Sequence, residues 1–194
     1  MKLHFSSLLK NKAIYFPLIL LLFLCSSCED REELAGSEKY YYDLAGWLQS
    51  EMGHLSATKP LVKKITMLAG ETENLETNSV DWSKELALFM KADLNKPAYK
   101  NSYTTDRPDS TTVVYTLKPT ENLTLQQLTV HYDDLGQLPV QIDGSFESVN
   151  KLYESKRSFR LNIAEGHLTA YHVHGYQKLV MMDKRPFDIQ VSIK

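Results

Sequence analysis

Residues 111–142 read TTVVYTLKPTENLTLQQLTVHYDDLGQLPVQI, and along them apolar side chains return at every second position. Val113, Tyr115 and Leu117 alternate with polar neighbours, as do Leu128, Val130 and Tyr132, and then Leu138, Val140 and Ile142. A period of two sends successive side chains to opposite sides of an extended chain, so each run has one apolar and one polar face. The pattern recurs in Phe159, Leu161 and Ile163 and in Phe187, Ile189, Val191 and Ile193. It predicts an antiparallel sheet of about five to six strands with one face on a core and the other toward water. Within the quoted stretch, Asp134-Leu135-Gly136 suits a three-residue hairpin loop with glycine in the left-handed bulge position. That loop sets Tyr132 opposite Leu138, Val130 opposite Val140 and Leu128 opposite Ile142.

Upstream the period changes. With Ser37 as N-cap, Tyr41, Leu44, Leu48, Met52 and Leu55 recur at spacings of three and four, the stripe of a helix of about five turns, and Trp47 widens it. Tyr40, Tyr41 and Tyr42 are splayed over different faces of such a helix and read as core plus rim. Asp81 caps a second helical pattern carrying Trp82, Leu86, Phe89, Met90 and Leu94, closed by Asn95 and Pro97. Residues 60–78 fit two structures equally. Leu61, Ile65 and Leu68 make a short helix stopped at Gly70, whereas Leu61, Lys63, Ile65 and Met67 make a strand turning at Ala69-Gly70-Glu71. Residues 97–110, with two prolines, Asn101 and Ser102, read as loop. Helices in 37–96 followed by strands in 111–194 predict a single α+β domain over 37–194, with N-terminal helices packed on a mostly antiparallel meander, and not a parallel nucleotide-binding sheet.

Composition narrows the class. The 194 residues include 22 Lys+Arg, 24 Asp+Glu and two cysteines, and 43% are apolar. These are ordinary globular proportions, which exclude a disordered tail, a collagen-like rod and a disulfide scaffold. A formal charge of −2 lacks the basic excess of a phosphate-backbone binder, so no nucleic-acid partner is expected.

The N-terminal 27 residues have a secretory design: Lys2, Lys10 and Lys12 without an acid, an apolar run from Ala13 to Cys25, then small residues. The run is shorter than the roughly 20 residues of a membrane span and contains Pro17. Leu24-Cys25-Ser26-Ser27-Cys28 resembles the lipobox of bacterial lipoproteins. That resemblance implies cleavage after Ser27 and a diacylglycerol on the Cys28 sulfur, with Cys25, at the position where a branched aliphatic is usual, as a departure from the pattern. Loss of the three lysines leaves 19 basic against 24 acidic side chains, a formal −5. Two or three acyl chains, at about 0.8 kcal/mol per buried methylene, anchor stably. Glu29-Asp30-Arg31-Glu32-Glu33 reads as part of a solvated tether over residues 28–36. It also resembles the acidic export signal of some surface lipoproteins, which implies an outer-membrane address on the periplasmic side or exposed at the surface.

One cluster has chemical character, Gly166-His167-Leu168-Thr169-Ala170-Tyr171-His172-Val173-His174. His172 and His174, two apart on a strand, share a face and suit chelation of one metal ion, with His131 or His167 as a third nitrogen donor. A three-residue turn at Ala164-Glu165-Gly166 pairs Phe159 with Tyr171 and turns both histidines outward. A two-residue turn puts His172 beside Phe159 on the apolar face. Glutamate is poorly suited to the positive φ of the shorter turn, which favours outward. Arg157 shares the parity of Phe159, Leu161 and Ile163; it either snorkels to the sheet edge or anchors an acidic ligand headgroup. Asp133 and Asp134 belong to the hairpin loop. There is no nucleophile elbow, P-loop, H-E-x-x-H, G-x-G-x-x-G, EF-hand or CxxC pattern. The resulting expectation is a membrane-anchored binding or scaffolding module of the cell envelope, without cofactor beyond the lipid on Cys28 and with an envelope protein as partner. An acyl-chain carrier and a metal-dependent enzyme using His172 and His174 are the alternatives.

Overall fold

The computed structural model describes residues 39–194; Cys28, its acidic tether and the expected cap Ser37 lie outside them. The described residues form a compact unit dominated by one antiparallel sheet of nine strands. These are β1 (Val62–Leu68), β2 (Glu71–Thr77), β3 (Tyr103–Asp106), β4 (Thr112–Leu117), β5 (Leu125–Tyr132), β6 (Pro139–Val149), β7 (Tyr153–Ala164), β8 (His167–Leu179) and β9 (Arg185–Ile193). Their order is β2-β1-β9-β8-β7-β6-β5-β4-β3, a meander from β3 to β9 with the β1–β2 hairpin added beside β9. The expected five to six strands fall short of nine because β1, β2 and β3 lack clean alternation. In β1, Ile65 and Met67 are exposed and Val62 is buried, so 60–78 is a hairpin whose apolar face is not the buried one. β3 lies in the segment expected to be loop.

Among the described residues the α-helices are few, one of 15 residues and two of four, so the expected half of helices packed on a sheet gives way to a sheet with helical cover. Helix α1 (Leu44–Thr58) starts at Asp43, whose carboxylate accepts from the Gly46 N–H, and ends at Lys59 in the left-handed conformation. Its buried stripe is Leu44, Leu48, Glu51 and Leu55. Tyr41 precedes the helix, held with Tyr40 by the Asn95 side chain, which accepts from both of their N–H groups at 3.0 Å. Asp81 does cap a helix, but at Leu86 the chain leaves helical geometry (φ −92°, ψ 3°) and divides it into α2 (Trp82–Glu85) and α3 (Ala87–Met90). The division lets Trp82, Leu86, Phe89, Ala92 and Leu94 all enter the core.

The middle of the core is an aromatic group. The Phe89 ring stands edge-on to Phe159 and to Tyr171, each at 5.2 Å between centroids. In the sheet, Leu128, Gly144, Phe159 and Val173 lie in one row across four strands. The Phe159 ring covers Gly144, where a Cβ would stand 2.3 Å from two of its carbons. The row corrects the hairpin expected after Tyr132. Val130 faces Ile142 and Leu128 faces Gly144, two residues away from the register deduced from the loop, and Tyr132 faces Pro139 across a bulge. Asp133 accounts for the shift: its carboxylate accepts from the N–H groups of Gln137 (2.7 Å) and Leu138 (3.3 Å) and draws Leu138 into the loop. Leu138 and Val140 are therefore 53% and 40% exposed, although alternation placed them in the core.

The β7–β8 turn is also a correction. It has two residues, Glu165 (φ 54°) and Gly166 (φ 85°), both left-handed. A bulge then inserts Thr169, because Ile163 pairs with Leu168 while Asn162 pairs with Ala170. The extra residue restores the outward parity of His172 and His174, and Phe159 meets Val173 instead of Tyr171. Helix α1 grips this turn: Trp47 Nε1 donates to the Gly166 carbonyl at 3.2 Å, and the Leu168 N–H donates to buried Glu51 at 3.0 Å.

The Gly144→Ala substitution should cost about 1–3 kcal/mol, as overpacking does in a filled core, and in a urea titration shortening the facing ring (Phe159→Leu) in the same chain should recover part of the loss. Burial holds the hydroxyls of Tyr42, Tyr103, Tyr115, Tyr132 and Tyr171 above their ordinary value of 10.0, and at Tyr171 a hydrogen bond to Glu85 adds to this. These raised values contribute stability that is complete below the unfolded-state value and is lost progressively from there as pH rises through the folded-state values. Unfolding free energy should therefore fall steeply above pH 10.0, with tyrosinate absorbance rising together with the loss of structure.

Candidate functional site

Among the described residues no helix covers the sheet face opposite the core, and the residues of that face are the polar halves of the alternating runs. Two rows cross it. Thr129, Asp143, Arg160, His172 and Gln190 form one; Ser145, Ser158, His174 and Asp188 form the next. Registers fixed by the buried side therefore decide which polar groups meet on the open side.

Two carboxylates organise the face. Asp143 accepts from Arg160 Nε at 2.7 Å and from the Gln141 amide, and His131 Nε2 lies 3.3 Å from its second oxygen. Asp188 lies 2.7 Å from His172 Nε2 and accepts from Gln190 at 3.0 Å. Partial burial raises the Asp188 carboxyl, but the hydrogen bonds from His172 and Gln190 outweigh it and hold the group below its ordinary range. The His172 and His174 rings are 4.9 Å apart between centroids. Among the described residues, the His174 ring and the terminal N–H groups of Arg160 make no hydrogen bond, and both side chains lie on the exposed face of the sheet.

Arg160 and His172 separate two shallow depressions. One, about 370 Å³, is lined by Gln127, Thr129, Asp143, Ser145, Ser158 and His174; the other, about 490 Å³, extends over Asn162, Ala170, Gln190 and Ser192 to Lys63 and Ile65. Both share the Arg160 and His172 side chains, so they form a single continuous surface. It offers carboxylates already hydrogen-bonded by neighbours, imidazoles, hydroxyls and a guanidinium suited to a planar oxygen acceptor, beside the apolar Ile65, Ala170 and Val191.

The structure thus brings His172 and His174 together, pointing away from the core. It does not bring the expected third nitrogen to them. His131 is on β5, three strands away, held on Asp143, and His167 stands beside Glu51 of α1. Arg157 is on the opposite, core side of the sheet, half-buried, donating to Ser155 Oγ (3.3 Å) and the Tyr153 hydroxyl (3.4 Å). Asp143, Arg160 and Asp188 were not singled out by sequence, although each occupies the polar phase of an alternating run.

Comparisons with protein-family models, curated proteins and solved structures find no match to this chain. No helix among the described residues is long and apolar enough to cross a membrane.

The ion pairs of this face are partly solvated, with Asp143 and Asp188 side chains 27% and 25% exposed. Asp143→Asn and Asp188→Asn should each change stability by less than about 1 kcal/mol, measured by urea unfolding at neutral pH. A larger loss would make these carboxylates part of the framework and not of a recognition surface.

Proposed function

We propose that this chain is a lipid-anchored protein of the cell envelope, held at an outer membrane through an acylated Cys28, whose domain binds an envelope partner across the open face of its sheet without catalysing a reaction. The observation that carries the binding role is the face itself, uncovered among the described residues, where Arg160 and His172 stand between two contiguous depressions of mixed polar and apolar lining. Partner-free donors on a rigid sheet lose little side-chain entropy on binding, which favours recognition. The anchor rests on the lipobox resemblance of residues 24–28 and the acidic stretch behind it. A partner offering carboxylates or carbonyl oxygens fits the Arg160 and His174 donors.

The two alternatives have less support. An acyl-chain carrier needs room between helices and sheet, and that layer is filled by Leu44, Leu48, Phe89, Leu128, Ile142 and Leu161, each at most 1% exposed. A metal enzyme on His172 and His174 needs at least a third ligand: neither expected nitrogen, His131 or His167, stands with them, and among the described residues no His, Cys, Asp or Glu completes a group of three around the pair with ligand atoms within 4.8 Å of one another.

A photo-crosslinking residue in place of Ser158, on the open face, should capture an envelope protein in intact cells, whereas the same group at Ser50, exposed on α1, should not. Equal capture at both positions, or none at Ser158, overturns the binding reading. In the same cells Cys28→Ser should move the protein from the membrane to the soluble fraction; continued sedimentation with membranes overturns the anchor.

A further inference from the structure

Away from the open face, at the other end of β8, α1 meets the β7–β8 turn through three side chains that the fold alone does not require. Glu51 and His54 are one helical turn apart on α1 and face the same way. His167 is the first residue of β8, directly after the Glu165-Gly166 turn. Their ligand atoms all lie within 4.8 Å of one another, and among the described residues this is the grouping of three that meets this condition.

The environment of each donor is suited to a cation. Glu51 is a carboxylate with only 4% of its side chain exposed, and a buried anion needs compensation. Its Oε1 is fixed by the Leu168 N–H at 3.0 Å, which orients the carboxylate as an outer-shell partner orients a metal ligand. Its Oε2 faces His167 Nδ1 at 3.0 Å. In a tetrahedral zinc site with bonds of about 2.0–2.1 Å, adjacent donors stand roughly 3.3 Å apart, so this pair already has nearly the right spacing. The His54 ring is stacked on His167 at 3.9 Å between centroids and makes no hydrogen bond among the described residues. One imidazole would satisfy Glu51. The second adds nothing to that hydrogen bond, yet supplies the third donor of a His₂Glu set.

We propose that Glu51, His54 and His167 form a binding site for a divalent cation of the zinc class, tying α1 to the β7–β8 turn. Two neutral imidazoles and one carboxylate leave a coordination position for water. Binding requires a small rearrangement: both rings are exposed enough to rotate from face-to-face stacking until their nitrogens converge, while Glu51 stays where Leu168 holds it. The cation joins residues more than a hundred positions apart and, binding only the folded chain, stabilises it by an amount that grows with the logarithm of free cation concentration above Kd. This site is separate from the open face, and its test does not depend on that reading.

The test uses the full chain in detergent, freed of metal by chelation. Titration with Zn²⁺ followed by calorimetry should show one ion per chain, and Co²⁺ should give the visible absorption of a low-coordinate nitrogen and oxygen site. His54→Ala removes an exposed ring, so its melting temperature without metal should match the wild type, while its zinc affinity falls at least about ten-fold and the cobalt spectrum disappears. Glu51→Gln should also lose zinc affinity and serves as the second variant. The double substitution His172→Ala and His174→Ala should bind like wild type. No zinc binding by the wild type, equal binding by folded His54→Ala, or loss of binding in the His172/His174 double variant would each overturn the proposal.

Discussion

The Phe159 ring lying across Gly144 is the constraint on which the rest of the molecule depends. It sets the β6–β7 register, because only a residue without Cβ can stand under the ring. It also gives Phe89 a surface to meet edge-on, and so fixes where the broken α2–α3 segment lands. With that register set, Asp143 must face Arg160, and with Phe159 opposite Val173, Arg160 must face His172. The polar arrangement of the open face is thus a projection of apolar packing on the other side. The same packing that orders the core side of the sheet fixes the positions of the polar groups on its open side.

Much of this was legible in the residues. Alternation in Val113 to Leu117, Leu128 to Tyr132, Phe159 to Ile163 and Phe187 to Ile193 identified strands, antiparallel pairing and a one-sided core. Asp81 identified a helix start. What failed were registers and breaks, which depend on single side chains acting out of phase. Asp133 captured Leu138 for its loop, Glu165 accepted a left-handed conformation, and Thr169 entered as a bulge. In the β7–β8 hairpin the last two departures cancel, and the outward direction of His172 and His174 came out as expected from a turn that does not exist. Glu51 stood in the stripe of α1 unnoticed, because a carboxylate in a buried helical position becomes intelligible only when the turn that donates to it is in view. Arg160 and Asp188 were equally silent, since polar residues in the polar phase carry no signal until cross-strand neighbours are known.

The two polar assemblies differ in kind. On the open face, carboxylates are shared among several donors and remain partly solvated. At the α1 end, one buried carboxylate is fixed by the backbone N–H of Leu168 and flanked by two imidazoles. The first arrangement suits a surface that recognises; the second suits a fastening between elements distant in sequence.

Strand β9 has a consequence for how the chain reaches this state. It is an interior strand, bonded to β8 on one side and to β1 on the other, with Val62 paired to Ile193. The β1–β2 hairpin therefore has no neighbour to join until almost the whole remaining meander exists, and its closure spans about the longest loop the domain possesses. A chain emerging from a ribosome can build β3 to β8 progressively by local hairpins. It cannot seat the β1–β2 hairpin until β9 is in place, so the early hairpin waits on a strand more than a hundred residues downstream.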